Sequence, residues 1–168
     1  MLLYEDARMR AQEILEVFPI GNSGLAGLVQ LAATLGASVE FRPLEPSISG
    51  VVIKEDADTP KIYINSEEPM VRQRFTLAHE IGHLIERENL GKDGEYSFID
   101  YRNNSNYDLH EFYADEFAGA LLMPAREFLD ILNKKGTFAT AIHFGVSKPA
   151  VNKRMERLRK NPDPTCQI

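Results

Sequence analysis

The sequence predicts an α+β protein in which helices at both ends of the chain enclose a small antiparallel sheet. Two patterns predict this class. Apolar residues recur at helical spacing before residue 36 and after residue 66, and short alternating segments separated by prolines lie between them. The chain has 168 residues, of which 43% are hydrophobic. That length and composition are enough for one well-packed core.

Two helices are predicted to open the fold. Apolar residues line one face of segment 5–18, and Pro19 ends this helix. Asn22 or Ser23 is a suitable N-cap for a second helix, which ends at Gly36.

Three extended segments follow, at 37–42, 50–54 and 61–65, and they predict a three-stranded antiparallel sheet. In the last segment Ile62 and Ile64 alternate with polar residues, which is typical of a half-buried strand. This segment leads directly into the next helix, and it could be an edge strand to which an extended peptide adds. A plain half-buried strand without that role is an equal alternative.

The third helix carries the most specific signal in the chain, an H-E-x-x-H motif at residues 79–83. Ser66 is its predicted N-cap. Since a helix repeats every 3.6 residues, His79 and His83 share one face, where two imidazoles can hold one ion. Glu80 then stands beside the ion's open position for water, where a base is needed. The motif predicts a zinc-dependent peptidase, and a chance match in an ordinary helix is the alternative.

The next segment, 89–107, is polar and shows no regular element. It could cover the site or be a surface excursion. Asp108 is the predicted N-cap of a helix that ends at Leu122. Pro124 begins a further helix, which ends near Gly136.

A catalytic zinc site needs a third protein ligand, and the metzincin spacing after the motif is absent. Glu111 is the best candidate, since Asp115 follows one turn later and could hold a ligand imidazole through its free N–H. Glu111 could instead complete a capping box with Asp108. His110 is a competing ligand, although it points about 100° away from Glu111 on the helix. Candidate donors to a developing oxyanion are Tyr63, Tyr107, Tyr113, His110 and His143.

The motif and its surroundings resemble the ImmA/IrrE metallopeptidases over roughly residues 50–160. The resemblance starts with the run 74–83 and continues through the segment 144–158. Between these two segments it includes Glu111, Ala114, Asp115, Phe117, Ala118, Leu121, Leu122, Met123 and Pro124.

This resemblance implies a minimal, gluzincin-like zincin core with His79, His83 and Glu111 as metal ligands and Glu80 as the catalytic residue. Zinc is expected, and Mn²⁺ or Fe²⁺ would be tolerated by a similar ligand set. Family members are cytoplasmic proteases that cleave a helix-turn-helix repressor, often one encoded nearby, and so derepress mobile-element or stress-response genes. Asp115 stands where the family usually has asparagine, a difference that leaves its predicted contact with a ligand imidazole plausible.

The C-terminal part has the spacing of a helix-turn-helix, with helices at 137–144 and 149–159. Residues 1–133 carry 11 basic and 23 acidic side chains, a net charge of −12, whereas residues 134–168 carry 8 basic and 2 acidic, a net charge of +6. The unit could bind DNA. We favour packing on the catalytic core or docking of the substrate, because the acidic remainder weakens attraction to DNA. The basic residues of this unit are Lys148, Lys153, Arg154, Arg157, Arg159 and Lys160.

Three units are therefore expected: a zincin-like metallopeptidase domain at 1–133, a helix-turn-helix-like unit at 134–160 and a tail at 161–168. Cys166 is the only cysteine, which excludes a disulfide or cysteine metal site within the chain. The N-terminus has no basic region followed by an apolar run, and no stretch approaches membrane-spanning length, so we expect a cytoplasmic protein. Competing functions are a DNA-binding regulator with a vestigial metal site and a non-proteolytic toxin–antitoxin partner. The intact Glu80 favours the peptidase.

Overall fold

The computed structural model describes residues 1–55, 58–90, 94–103 and 106–166. Within these ranges the chain forms an α+β fold with six helices and a mixed sheet of four strands. The helices are α1 (Leu3–Val17), α2 (Ala26–Thr34), α3 (Met70–Asn89), α4 (Leu109–Leu122), α5 (Ala125–Phe144) and α6 (Lys148–Lys160). The strands are β1 (Ser38–Arg42), β2 (Ile48–Lys54), β3 (Lys61–Asn65) and β4 (Tyr96–Tyr101). In the described part of the chain, no helix is both long enough and apolar enough to cross a membrane.

The strand order β1-β3-β2-β4 corrects the predicted antiparallel sheet and decides between the two alternatives for β3. β1 pairs with β3 in parallel, so the sheet is mixed rather than antiparallel. β3 also pairs with β2, which makes it an internal strand rather than an edge. The physical reason is that β1 and β2 do not form a hairpin. Instead β3 lies between them, and its Ile62 and Ile64 are fully buried.

β4 lies inside the segment that the sequence analysis left without a regular element. It pairs antiparallel with β2 and is an edge of the described sheet. Tyr96, Phe98 and Asp100 face inward, alternating with the exposed Ser97 and Ile99. In the sequence only Tyr96 and Phe98 follow an apolar–polar alternation, and Ile99 and Asp100 reverse it, so the signal for this six-residue strand was weak.

Helix α3 begins at Met70, four residues after the predicted N-cap Ser66. The side chain of Asn65 explains the difference. Its Oδ1 atom accepts hydrogen bonds from the backbone N–H groups of Leu44 and Glu67. The residues after β3 are therefore held in a turn, and the helix starts only after Pro69.

Helices α3 and α4 pack closely in the centre of the fold. A Cβ atom placed on Gly82 would lie 2.9 Å from Cα of Ala114, so only glycine allows this separation. On the other side of α3, a Cβ atom on Gly50 of β2 would lie 2.6 Å from the Thr76 methyl group. Both close approaches fix α3 between its neighbours, and α3 carries the H-E-x-x-H motif.

At the C-terminal end, Gly136 interrupts α5 with φ 80° and ψ 178°, at the position where the sequence predicted a helix end. Gly145 has a left-handed φ of 63° and ends α5. Ser147 then caps α6 by accepting a hydrogen bond from the N–H group of Ala150.

Candidate metal centre

His79 and His83 lie one turn apart on the face of α3 that meets α4. Their side chains are 3% and 1% exposed. From α4, the carboxylate of Glu111 reaches both rings, with Oε2 3.2 Å from His79 Nε2 and Oε1 3.3 Å from His83 Nε2. The structure thus brings together the three residues that the sequence identified as metal ligands.

The capping alternative for Glu111 applies only to its backbone. Asp108 caps α4, since its Oδ1 accepts a hydrogen bond from the N–H group of Glu111 at 2.9 Å. The Glu111 side chain does not return to Asp108 but points at the two imidazoles. One residue therefore occupies the third position of a capped helix and also faces the histidines.

The donor set fits a divalent ion. One ligand atom from each of His79, His83 and Glu111 can be chosen so that all three lie within 4.8 Å of one another. With zinc bonds near 2 Å, a tetrahedral site places its ligand atoms roughly 3.3 Å apart, which matches the two histidine–carboxylate distances. Nε2 of each histidine is buried and has no hydrogen-bond partner among the described residues. Buried polar atoms are costly when unpaired, and a bound ion would satisfy them.

The electrostatics of this group favour the ionised form of Glu111 beside the two histidines. Burial alone would raise the pKa of Glu111, but its contacts with His79 and His83 lower that pKa far below its ordinary value. Burial lowers the pKa of His83 to about 4 and keeps this ring neutral, as a ligand must be. Burial also opposes a charge on His79, but contacts with Asp115 and Glu111 outweigh it and raise the pKa well above the ordinary value.

Glu80 follows His79 on α3 and is completely buried. Neither of its carboxylate oxygens has a hydrogen-bond partner in the described part of the chain. Burial raises the pKa of Glu80 well above its ordinary value, although the neighbouring His79 acts in the opposite direction. A carboxylate held in this way binds a proton readily, which suits a general base.

Asp115 lies one turn after Glu111 and contacts the other nitrogen of His79. The distance from His79 Nδ1 to Asp115 Oδ1 is 2.9 Å. If Nδ1 carries the proton, Nε2 is left free for a metal, so the contact orients the ring and fixes its tautomer. This is the contact that the sequence predicted for Asp115.

The other candidate residues are distributed differently. His110 lies 2.8 Å from Glu86 through its Nδ1 atom and is not part of the ligand group. Tyr113 donates to Asp6, and His143 lies against Glu127 on α5. Among the five candidate oxyanion donors, only Tyr107 lines the cavity beside the metal ligands.

That cavity has a volume of about 360 Å³ and opens beside His79 and Glu111. Phe75 of α3, Met123 at the end of α4 and Ala150 of α6 contribute to its walls. The inward face of β4 also borders the site, because Asp100 lines the cavity. The sequence analysis missed this strand and assigned no role to its inward residues.

Phe98 of β4 supports the second histidine directly. Its ring stacks on His83 with a centroid distance of 4.3 Å and an interplanar angle of 2°. The alternation of Tyr96 and Phe98 with polar residues was the one sequence signal that could have found this wall of the site.

Two basic residues of α6 point into the protein rather than into solvent. Arg154 is 3% exposed and donates to Glu116 of α4 at 3.1 Å. Arg157 donates to the other oxygen of Glu116 at 3.0 Å and to the hydroxyl group of Tyr107 at 2.6 Å. A third arginine, Arg8 of α1, lies 2.6 Å from Glu116. The buried Glu116 therefore joins α1, α4 and α6.

Comparisons with known proteins find metalloproteases among the relatives of this chain. The chain is 33% identical over 132 residues to the radiation response metalloprotease IrrE of Deinococcus deserti, covering 70% of this chain and 46% of that protein. It is 30% identical over 138 residues to the protein of the same name from Deinococcus radiodurans, covering 81% of this chain and 40% of that protein. The chain thus spans less than half the length of these curated relatives.

The fold also has a solved counterpart. A Mycobacterium tuberculosis transcriptional regulator superposes over 97% of this chain and 49% of its own, with a TM-score of 0.69 at 18% identity. That likeness concerns the fold alone. Residues 32–156 match the family described as Peptidase_M78, IrrE N-terminal-like domain. Since this match includes all three candidate metal ligands and covers most of the chain, the protein belongs to the IrrE N-terminal-like peptidase family.

Proposed function

We propose that this protein is a zinc-dependent, site-specific endopeptidase that cleaves a helix-turn-helix repressor of the XRE type. The observation that carries the proposal is the buried group of His79, His83 and Glu111, with the unpaired carboxylate of Glu80 next to it on α3. Two imidazoles and one carboxylate form the ligand set of catalytic zinc sites that keep one position open. Mn²⁺ or Fe²⁺ would suit the same ligands.

Each residue has a defined task in peptide hydrolysis. A divalent ion at this site supplies Lewis-acid polarisation of the scissile carbonyl group and lowers the pKa of water. Glu80 accepts the proton of the attacking water on its carboxylate and later passes it to the leaving amine. Asp115 keeps His79 in one orientation and tautomer through Nδ1.

The position of β4 supports binding of an extended peptide. β4 is the edge strand on the side of the sheet that borders the metal ligands. A peptide that adds to this edge would form backbone hydrogen bonds with β4. Its side chains would then point alternately towards the cavity and towards solvent. This assigns to β4 the role that the sequence analysis considered for β3.

The repressor as substrate rests on the family resemblance, and the two Deinococcus relatives, which are radiation response metalloproteases, are compatible with a role in a stress response. The direct test uses a small helix-turn-helix repressor encoded beside this chain. Incubation of the two purified proteins with Zn²⁺ should give one discrete pair of fragments, identified by mass spectrometry. Intact repressor under all metal conditions contradicts this substrate.

Two variants separate chemistry from metal binding. Glu80→Gln should bind zinc as the parent does but lose cleavage, since an amide cannot accept the proton. His83→Ala should lose both zinc and cleavage, because a ligand is removed. An active Glu80→Gln protein would rule out the assigned role of Glu80.

DNA binding by α6 is the less favoured function. Arg154 and Arg157 are engaged with Glu116 and are not available to phosphate groups. The exposed basic residues of α6 that remain are Lys148, Lys153, Arg159 and Lys160. Salt-dependent binding of the protein to random duplex DNA at micromolar concentration would favour this alternative.

A further inference from the structure

Arg157 of helix α6 is connected to His79 through the side chains of Tyr107 and Asp115. Arg157 donates from Nη2 to the hydroxyl group of Tyr107 at 2.6 Å, and this hydroxyl group donates to Asp115 Oδ2 at 3.0 Å. Asp115 Oδ1 in turn lies 2.9 Å from His79 Nδ1. A continuous chain of contacts thus runs from a basic residue of α6 to a ring that faces the metal position.

We propose that Arg157 is a positioning residue for His79 and acts through Tyr107 and Asp115. The proposal deepens the proposed metallopeptidase function and rests on it for the identity of His79 as a metal ligand. Neither Arg157 nor Tyr107 belongs to the metal-ligand group, which consists of His79, His83 and Glu111.

The carboxylate of Asp115 is held through both of its oxygens. A carboxylate that contacts an imidazole through one oxygen can still rotate unless its second oxygen is also held. Oδ2 accepts from Tyr107 and lies 3.5 Å from Nη2 of Arg157. The carboxylate plane, and with it the direction of Oδ1 towards His79, is therefore fixed from both ends.

Tyr107 is held by the two hydrogen bonds of its hydroxyl group. Tyr107 is 47% exposed, so burial alone does not fix the position of its ring. The hydroxyl oxygen accepts a hydrogen bond from Arg157, and the hydroxyl proton is donated to the carboxylate of Asp115. Without the guanidinium group, water would compete for the hydroxyl group and its direction would vary.

Arg157 is itself anchored by Glu116 and by the ring of Phe112. Nη1 of Arg157 donates to Glu116 Oε2 at 3.0 Å, and the guanidinium group lies 4.8 Å from the centroid of the Phe112 ring. The Glu116 side chain is 1% exposed and also forms ion pairs with Arg8 and Arg154. Such a planar, multiply bonded guanidinium group holds its direction better than an ammonium group on a flexible stem would. The contact chain thus ends in the rigid centre of the protein.

The test measures zinc affinity, by competition with a chromogenic chelator, together with thermal unfolding of the metal-free protein. Tyr107→Phe removes one hydroxyl group from an exposed residue and should leave the metal-free protein folded. We expect zinc affinity to fall about tenfold in Tyr107→Phe and in Arg157→Met, the low end of what loss of the partners around a metal ligand costs. The matched control is Arg159→Met, which removes the same charge from an exposed position of α6 and should bind zinc as the parent does.

Two further measurements separate positioning from charge and from stability. Arg157→Lys keeps the charge but not the fork of donors, so its zinc affinity should stay below that of the parent. If Tyr107 and Arg157 act as one unit, the double variant Tyr107→Phe/Arg157→Met should lose no more affinity than either single variant. A merely structural role of Arg157 would lower the unfolding temperature of the metal-free protein and leave zinc affinity unchanged.

Unchanged zinc affinity in Tyr107→Phe overturns the proposal, whether or not Arg157→Met folds. A fall in affinity that is additive in the double variant also overturns it. Failure of the proposed function looks different: a protein that binds zinc but cleaves no repressor would still show the losses in Tyr107→Phe and Arg157→Met.

Discussion

Glu80 is the residue in which function and stability are most clearly opposed. Its carboxylate is fully buried and lacks a hydrogen-bond partner among the described residues. An unpaired buried carboxylate costs free energy of folding, and burial raises its pKa for the same reason. The protein carries this cost at the residue that we propose as the acceptor of the water proton.

This opposition predicts that Glu80→Gln stabilises the metal-free protein. A buried neutral amide costs less than a buried carboxylate, so the unfolding free energy should rise by about 1 kcal/mol. Urea unfolding measures the change. Glu86→Gln on the same helix is the control, since Glu86 is also buried but is paired with His110, and its loss of charge should not stabilise. Lower stability of Glu80→Gln would contradict this account.

For Asp115 we predict that the nature of the acceptor matters less than its presence. Asp115→Ala removes the partner of His79 Nδ1 and should weaken zinc binding about 10- to 100-fold. Asp115→Asn keeps an oxygen that can accept the ring N–H and should lose distinctly less. Chelator competition measures both affinities. Equal affinities for Asp115→Ala and the parent would show that the contact does not position the ring.

The sequence predicted the residues whose partners are near in the chain. His79, Glu80 and His83 follow from helical spacing alone. Glu111 stayed ambiguous because Asp108 does cap the same helix, and only the packing of α4 on α3 shows where the Glu111 side chain points. The contacts of Arg157 and Tyr107 were beyond prediction, because 50 residues separate the two in sequence.

At the scale of elements, the helices were predicted better than the sheet. The helical segments follow from an apolar face that each helix presents to the core. Strand order depends on long-range pairing, and nothing local indicates that β3 inserts between β1 and β2. The predicted start of α3 was wrong by three residues because Asn65 holds the preceding turn with its side chain.

The approach of α3 to α4 predicts a large effect of a small change. In Gly82→Ala the new methyl group would lie 2.9 Å from Ala114 Cα, which the two helix backbones can relieve only by moving apart. The variant should lose about 1–3 kcal/mol of unfolding free energy, although alanine favours helices. It should also bind zinc more weakly, since Gly82 precedes His83 and Ala114 lies one turn after Glu111.

Gly119→Ala is the matched control on α4. There the added methyl group would lie 3.4 Å from Cδ of Arg154, which is ordinary van der Waals contact. This variant should be neutral or gain up to about 1 kcal/mol from helix propensity. Urea unfolding of both variants decides the point. Equal stabilities would mean that α3 and α4 separate easily and that Gly82 does not set their distance.

At the scale of the whole molecule, Glu116 joins the two ends of the chain. Arg8 from α1 and Arg154 and Arg157 from α6 meet at its carboxylate. Residues 134–168 carry a net charge of +6, and two of their arginines therefore form ion pairs inside the protein. Composition revealed the charge asymmetry but not which arginines turn inward, because Arg154 and the exposed Arg159 look alike in the sequence.

Glu116→Ala should be among the most destabilising single changes. It leaves three guanidinium groups close together without their shared carboxylate, which should cost about 3–5 kcal/mol. Glu13→Ala removes an acidic partner of Arg10 on the surface of α1 and should cost at most about 0.5 kcal/mol. Urea unfolding at constant ionic strength compares them. Similar losses for the two would show that the buried cluster does not join α1 and α6.

The edge position of β4 has a consequence for how the protein behaves in concentrated solution. An open strand edge accepts any extended backbone, including that of another copy, and charged side chains or covering loops normally prevent such self-association. On the outward face of β4, Ile99 and Tyr101 are 39% and 45% exposed and carry no charge. Aggregation through this edge would compete with the peptide proposed to bind there, so dilute preparations should keep more molecules with a free β4 edge than crowded ones.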